Sequence, residues 1–227
     1  MWQRQVLIDL ALDSRIWRKS PAEIFAGFCL TFASDNSNCS DLTRAQADDL
    51  DDIRNTFDGD ENAYKRLIER YQQKIASMMW RFSRNRNTHE ELVQDVFVEV
   101  YLSLSNYGQK APFSHWLSRI ATRVGYRYWK MQQRKKRFDT VALKDWDQLS
   151  VISPENMDPN EAAELIHRLL GLLPPRDRLI LTLRYLEECS IEEAAKRTGW
   201  SKTMVKVQTW RARGKLKMLI EQRQKEE

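Results

Sequence analysis

SIEEAAKRTGWSKTMVKVQTWRARGKLKML, Ser190 to Leu219, reads as two helices around a tight turn. Ser190 with Glu193 three residues later has the capping-box spacing, in which a hydroxyl and a carboxylate satisfy orphan N–H groups at a helix start. Ala194 and Ala195 are small enough to let another helix cross closely. Gly199 suits the turn because it takes a left-handed backbone without a Cβ clash, and Ser201 can cap the second helix. In that helix Val205, Thr209, Ala212, Leu216 and Leu219 recur at helical spacing and form the expected buried stripe. Lys202, Lys206, Arg211, Arg213, Lys215 and Lys217 take the other faces. From Lys196 to Ile220 there are eight basic residues and no acidic one. A merely solvated face usually mixes both signs. A helix-turn-helix with a uniformly cationic second helix is instead built to enter a groove of DNA.

Upstream of this hairpin, Pro174-Pro175 separates a short apolar helix (176–186) from one running through Leu173. The latter starts at Asp158-Pro159-Asn160-Glu161, a cap, a first-turn proline and a carboxylate. Residues 138–160 are acidic, polar and proline-containing, and read as a flexible linker. Before them, Arg119 to Arg137 holds eight basic residues and no acidic one, interleaved with Tyr126, Tyr128 and Trp129. Cations track phosphates while aromatic faces stack on unpaired bases, so this block suits single-stranded nucleic acid; a core role for the aromatics is the bland alternative. It continues an amphipathic helix begun by Phe113, Trp116, Leu117, Ile120, Ala121 and Val124. Two more helices precede that one. Asp60 caps a stripe of Ala63, Leu67, Tyr71, Ile75, Met78 and Phe82. Thr88 and Glu91 form a second capping box ahead of Leu92, Val93, Val96, Phe97, Val100, Tyr101 and Leu104.

The net charge of +5 over 227 residues understates the asymmetry. Residues 1–56 hold six basic and nine acidic residues, and residues 138–164 one basic and seven acidic, so the positive charge sits in two blocks and points to a polyanionic partner. Cys29, Cys39 and Cys189 lack metal-ligand spacing and are odd in number, which favours a reducing cytoplasm without structural disulfides. Ile24 to Ala33 is too short to span a bilayer, and Glu23 and its distance from Met1 argue against a signal peptide. No membrane insertion, cofactor or metal is expected. Val6–Leu12 and Ile24–Phe32 are candidate short helices in an otherwise uninformative extension. The expected fold is all-α, with two small helical domains joined by an acidic linker: extension 1–56, first domain 57–137, linker 138–160, second domain 161–227.

The two blocks, in this order, resemble the sigma factors of bacterial RNA polymerase, and most closely the small extracytoplasmic-function (ECF) class, which has only region 2 and region 4. ELVQDVFVEVY (Glu91–Tyr101) resembles the polymerase-binding segment, and FSHWLSRIATR (Phe113–Arg123) the segment that opens and reads the minus-ten element. LGLLPPRDRLILTLRY with the helix-turn-helix, ending WRARGKL (Trp210–Leu216), resembles region 4, which reads the minus-thirty-five element. Where the family usually places a neutral Asn and an acidic or amide residue after the RIA run, this chain has Arg123 and Arg127. The recognition helix reads Met204-Val205-Lys206-Val207-Gln208 in place of the usual Thr-Val-basic-Ser-basic run, so promoter preference is expected to differ.

The resemblance implies a specificity subunit and not an enzyme. Leu92, Asp95, Val96 and Phe97 would dock on the clamp helices of core RNA polymerase. Tyr107, Lys110, Arg119, Arg123, Tyr126, Arg127 and Lys130 would meet minus-ten DNA, with the loop Tyr107 to Ala111 holding a flipped base. Ser201, Lys202, Thr203, Lys206, Val207, Trp210 and Arg211 would face minus-thirty-five promoter DNA while region 4 rests on the polymerase flap. An anti-sigma protein is a further candidate partner. Two rival readings are a helix-turn-helix regulator acting without polymerase and a DNA-processing enzyme. The first leaves the aromatic-basic block and the QDVF run unexplained. The second lacks a clustered Asp/Glu/His site, since His89, His115 and His167 are scattered.

Overall fold

Asp60 opens a helix as its position predicts: its carboxylate accepts a hydrogen bond from the Asn62 N–H at 2.9 Å. The computed structural model describes residues 39–138 and 159–226. In chain order they form α1 (Cys39–Phe57), α2 (Glu61–Met79), α3 (Arg86–Ser103), a 3-10 turn (Leu104–Asn106) and α4 (Phe113–Phe138). Later in the chain come α5 (Pro159–Gly171), α6 (Pro175–Leu181), a π-turn (Thr182–Leu186), α7 (Ile191–Thr198) and α8 (Lys202–Glu226). The fold is all-α, with no strand among the described residues. The candidate helices Val6–Leu12 and Ile24–Phe32 lie outside the described residues, as do 139–158 of the expected linker 138–160, whose Phe138 ends α4 and whose Pro159 and Asn160 open α5.

Residues 39 to 129 pack as one unit. Leu67, Ile75 and Met79 of α2, Leu92, Val96 and Val100 of α3, and Phe113, Leu117 and Val124 of α4 are buried in its core. Each such side chain contributes roughly 1.5–3 kcal/mol by leaving water. The helix α3 starts at Arg86, ahead of the Thr88–Glu91 box: Asn85 caps it, its side chain accepting from the Thr88 N–H at 3.1 Å. Asn is as good a cap as Thr and comes first in the chain, so the helix gains its extra residues there.

Within the stretch read as an extension, α1 packs along α2. Its anchor is charge more than apolar area, which is why no hydrophobic period announced it. Asp49 and Asp52 are only 3% and 6% exposed, beside buried Ile53. Arg66 Nε donates to Asp52 at 2.7 Å, Arg70 Nη2 donates to the same carboxylate at 2.9 Å, and Arg70 also pairs with Asp49. The Tyr71 hydroxyl donates to Asp49 at 2.5 Å. Burial pushes the Asp49 carboxyl up, opposed by its bonds to Tyr71 and Arg70.

The second unit is held by Leu179, Ile180 and Leu183 around the α6–π-turn segment, with Ala194, Val205 and Ala212 at 0% exposure where α7 and α8 meet it. The expected continuous helix 176–186 is thus a short α-helix running into a π-turn. Both halves of the Ser190–Glu193 capping box form, at 3.1 and 2.7 Å. Gly199 adopts φ 76°, the left-handed turn conformation that glycine accepts without strain.

Candidate nucleic-acid interface

The orientation of α8 is set from below by one buried carboxylate. Asp177, 1% exposed at the start of α6, accepts from Lys215 Nζ at 2.6 Å and from the Gln208 amide. With Val205 and Ala212 packed on the same side, the opposite ridge must face solvent. Ser201, Lys202, Thr203, Lys206, Val207, Trp210 and Arg211 are all exposed. Trp210 is 71% exposed, an aromatic surface beside Lys206 and Arg211. Ser201 caps α8, its hydroxyl accepting from the Met204 N–H at 3.1 Å, so it serves the backbone as well as the surface. Lys202 pairs with Glu192 of α7. Of the expected stripe, Thr209, Leu216 and Leu219 are only half-buried, so the contact with the rest of the unit is narrower than the periodicity implies.

On α4 the same logic applies. Phe113, Leu117, Ile120 and Val124 turn inward, leaving Arg119, Arg123, Arg127 and Lys130 exposed at helical spacing. Tyr126 is half-buried beside them. Arg127 donates through both terminal nitrogens to Glu99 of α3, at 3.2 and 3.3 Å. Trp129 does not join the cationic face: it is 3% exposed, stacks on Phe82 and donates its indole N–H to the Phe82 carbonyl at 2.9 Å. Of the interleaved aromatics, then, this one is core.

Tyr107 also differs from its expected role as an open DNA contact. Its ring is 9% exposed, lies 5.5 Å from Phe113 and 5.3 Å from Trp116, and its hydroxyl donates to the Ala111 carbonyl at 2.7 Å. It braces the 107–111 loop from beneath. Lys110 and Gln109, the latter at φ 53°, form the loop's exposed side.

The α3 residues expected to dock on polymerase divide sharply. Leu92, Val96 and Phe97 are 4%, 0% and 9% exposed, so they are core and cannot be a contact surface; Asp95 alone is exposed. The correction comes from helix geometry. The apolar run ELVQDVFVEVY has apolar residues on two faces, and the wider stripe belongs inside. The outward row is Glu91, Asp95, Val98 and Leu102, spaced four, three and four apart, with Val98 57% and Leu102 73% exposed. Val98 and Leu102 are exposed apolar side chains that sequence reasoning missed.

Two segments of the chain match family models, residues 67–135 that of Sigma-70 region 2 and residues 163–216 that of Sigma-70, region 4. The ECF RNA polymerase sigma-E factor of Escherichia coli K12 is 30% identical over 145 residues, 60% of this chain and 75% of that protein. The chain belongs to the ECF class of the sigma-70 family. The sigma-E factor of Haemophilus influenzae is 29% identical over 163 residues, covering 68% of this chain and 86% of the relative. The solved structure of CnrH in complex with the cytosolic domain of CnrY shares the fold, with TM-score 0.52 and 22% identity over 78% of this chain and 96% of that one. This sigma factor binds core RNA polymerase and promoter DNA and directs promoter-specific transcription initiation. A free-standing helix-turn-helix regulator would leave the region 2 match without a role. Sigma factors as a family are non-enzymatic specificity subunits. No helix among the described residues is long and apolar enough to cross a membrane.

Proposed function

We propose that three faces of this sigma factor divide the work of initiation. The α3 row of Asp95, Val98 and Leu102 docks on the polymerase clamp helices. The α4 face of Arg119, Arg123, Arg127 and Lys130, with Lys110 and half-buried Tyr126 beside it, holds the opened minus-ten strand. The α8 ridge of Lys202, Thr203, Lys206, Val207, Trp210 and Arg211, with Ser201 at its start, enters the minus-thirty-five groove while region 4 rests on the flap. The chain supplies recognition and the polymerase all the chemistry, within the cytoplasm. An anti-sigma protein covering these faces remains a candidate partner on the family resemblance.

One observation supports this division above the others: the cations of α4 and α8 sit exposed opposite buried apolar stripes, whereas α3 exposes Val98 and Leu102. Cationic ridges suit phosphates and base edges; an exposed apolar pair suits a protein partner. Transcription in vitro with purified core polymerase on a promoter library is the test. Initiation at a defined promoter set, with weak duplex binding by the free chain, is the expected result. Nanomolar binding of one duplex site regardless of polymerase would replace this reading with that of a free-standing regulator.

A further inference from the structure

Arg127 sits in the middle of the cationic row of α4, and its partner does not come from α4. The partner is Glu99, one turn from Asp95 and one residue from Val98 on α3. A single carboxylate oxygen, Oε2, accepts from both terminal nitrogens of the guanidinium, at 3.2 and 3.3 Å. The two side chains are 61% and 46% exposed, so the pair lies at the surface where a nucleic-acid strand would lie. A carboxylate so placed offers the guanidinium what a phosphate oxygen offers, an anionic acceptor.

We infer that Glu99 is an internal competitor for Arg127, occupying its guanidinium until single-stranded DNA displaces the carboxylate. This inference rests on the reading of the α4 face as the strand-binding face. The physics sets its scale. An exposed ion pair of this kind is weak, so the competition is a few-fold effect and not an on–off lock. Phosphate contacts by contrast come with counterion release, so the salt slope counts whether Arg127 meets the strand at all. Glu99 also adjoins Val98 in the α3 row, so a polymerase surface seated on that row would lie beside the pair. Its effect on DNA affinity belongs to Arg127 specifically, and a long-range loss of negative charge would not behave that way.

The test is a double-mutant cycle on the full chain. Binding of a fluorescent single-stranded oligonucleotide is monitored by anisotropy from low to physiological salt. Glu99→Gln should tighten binding about threefold, within the range of exposed pairs, with little change in salt slope because Arg127 meets the strand in both complexes. Arg127→Ala, by contrast, should lower the magnitude of the slope by about 0.7, the increment of one phosphate on a single strand. In an Arg127→Ala background Glu99→Gln should change neither quantity. Equal tightening in both backgrounds would show a general charge effect and overturn the inference, as would no tightening in either. Should Arg119→Ala, Arg123→Ala and Arg127→Ala each leave affinity and salt slope unchanged, the strand-binding face is elsewhere, and the inference falls with that reading.

Discussion

Gly125 is the residue that lets α4 approach the rest of its unit. A Cβ there would stand 2.3 Å from the Phe82 ring, and that ring cannot easily retreat, being stacked on Trp129 at 4.5 Å between centroids. Alanine in a helix normally gains about 1 kcal/mol over glycine, whereas overpacking a core costs roughly 1–3 kcal/mol. The second term wins here, and Gly125→Ala should lower the stability of region 2 by about 1 kcal/mol net, read as a lower urea midpoint with an unchanged slope. Cys189 makes a second case. It is 2% exposed, and burial pushes its thiol up to about 11. A raised acid is one the fold prefers protonated. Its contribution is therefore whole below the ordinary thiol value near 9 and is lost as pH climbs through about 11. Alkylation at pH 8 should consequently spare Cys189 in the native chain and reach it only on unfolding, as site-resolved mass spectrometry would report. Rapid native labelling would mean that the turn before α7 opens on its own. Tyr185 is also raised by burial, so a Cys189→Ala comparison is needed to assign any alkaline loss of region 4 stability to the thiol.

At the scale of elements, what could be read in advance depended on how local the determining interactions are. The α7–α8 hairpin was legible because its caps, turn glycine and charge all lie within thirty consecutive residues, Ser190 to Leu219. Asp60 was legible for the same reason. The division of α3 was not, since its apolar residues exceed what one stripe needs and only the packing of α2 and α4 decides which are covered. Nor was the Glu99–Arg127 pair, whose partners stand 28 positions apart, or the Phe82 contact of Trp129, 47 apart. The corrected α3 face yields a contrast. Leu102→Glu, at a 73% exposed position, should abolish or strongly weaken capture of core polymerase while leaving the free energy of unfolding in urea within about 0.5 kcal/mol of the original, as surface changes normally do. Val96→Glu, at a fully buried position, should lose both together because an uncompensated charge enters the core. A Leu102→Glu chain that still binds polymerase with undiminished affinity would move the docking surface off this row.

The whole molecule behaves as two units, and α1 is the element that decides where the first one begins. Arg66 and Arg70 are 43% and 30% exposed, so their bonds to Asp49 and Asp52 count for less than a fully buried pair's roughly 3–5 kcal/mol on removal of a partner. Even discounted for solvent screening, they combine with the lost cover of Ile53 against a total that for a small domain is only about 5–15 kcal/mol. A chain starting at Cys39 keeps α1 whole and serves as the reference. A chain starting at Asp58 should lose the cooperative transition of region 2, while the transition of region 4 persists, because α5 to α8 pack as a unit of their own. Urea titration monitored by circular dichroism, beside a polymerase pull-down, separates these outcomes. Equal stability of both truncations would show that α1 merely rests on α2, and that the carboxylates of Asp49 and Asp52 cost as much to bury as their partners return.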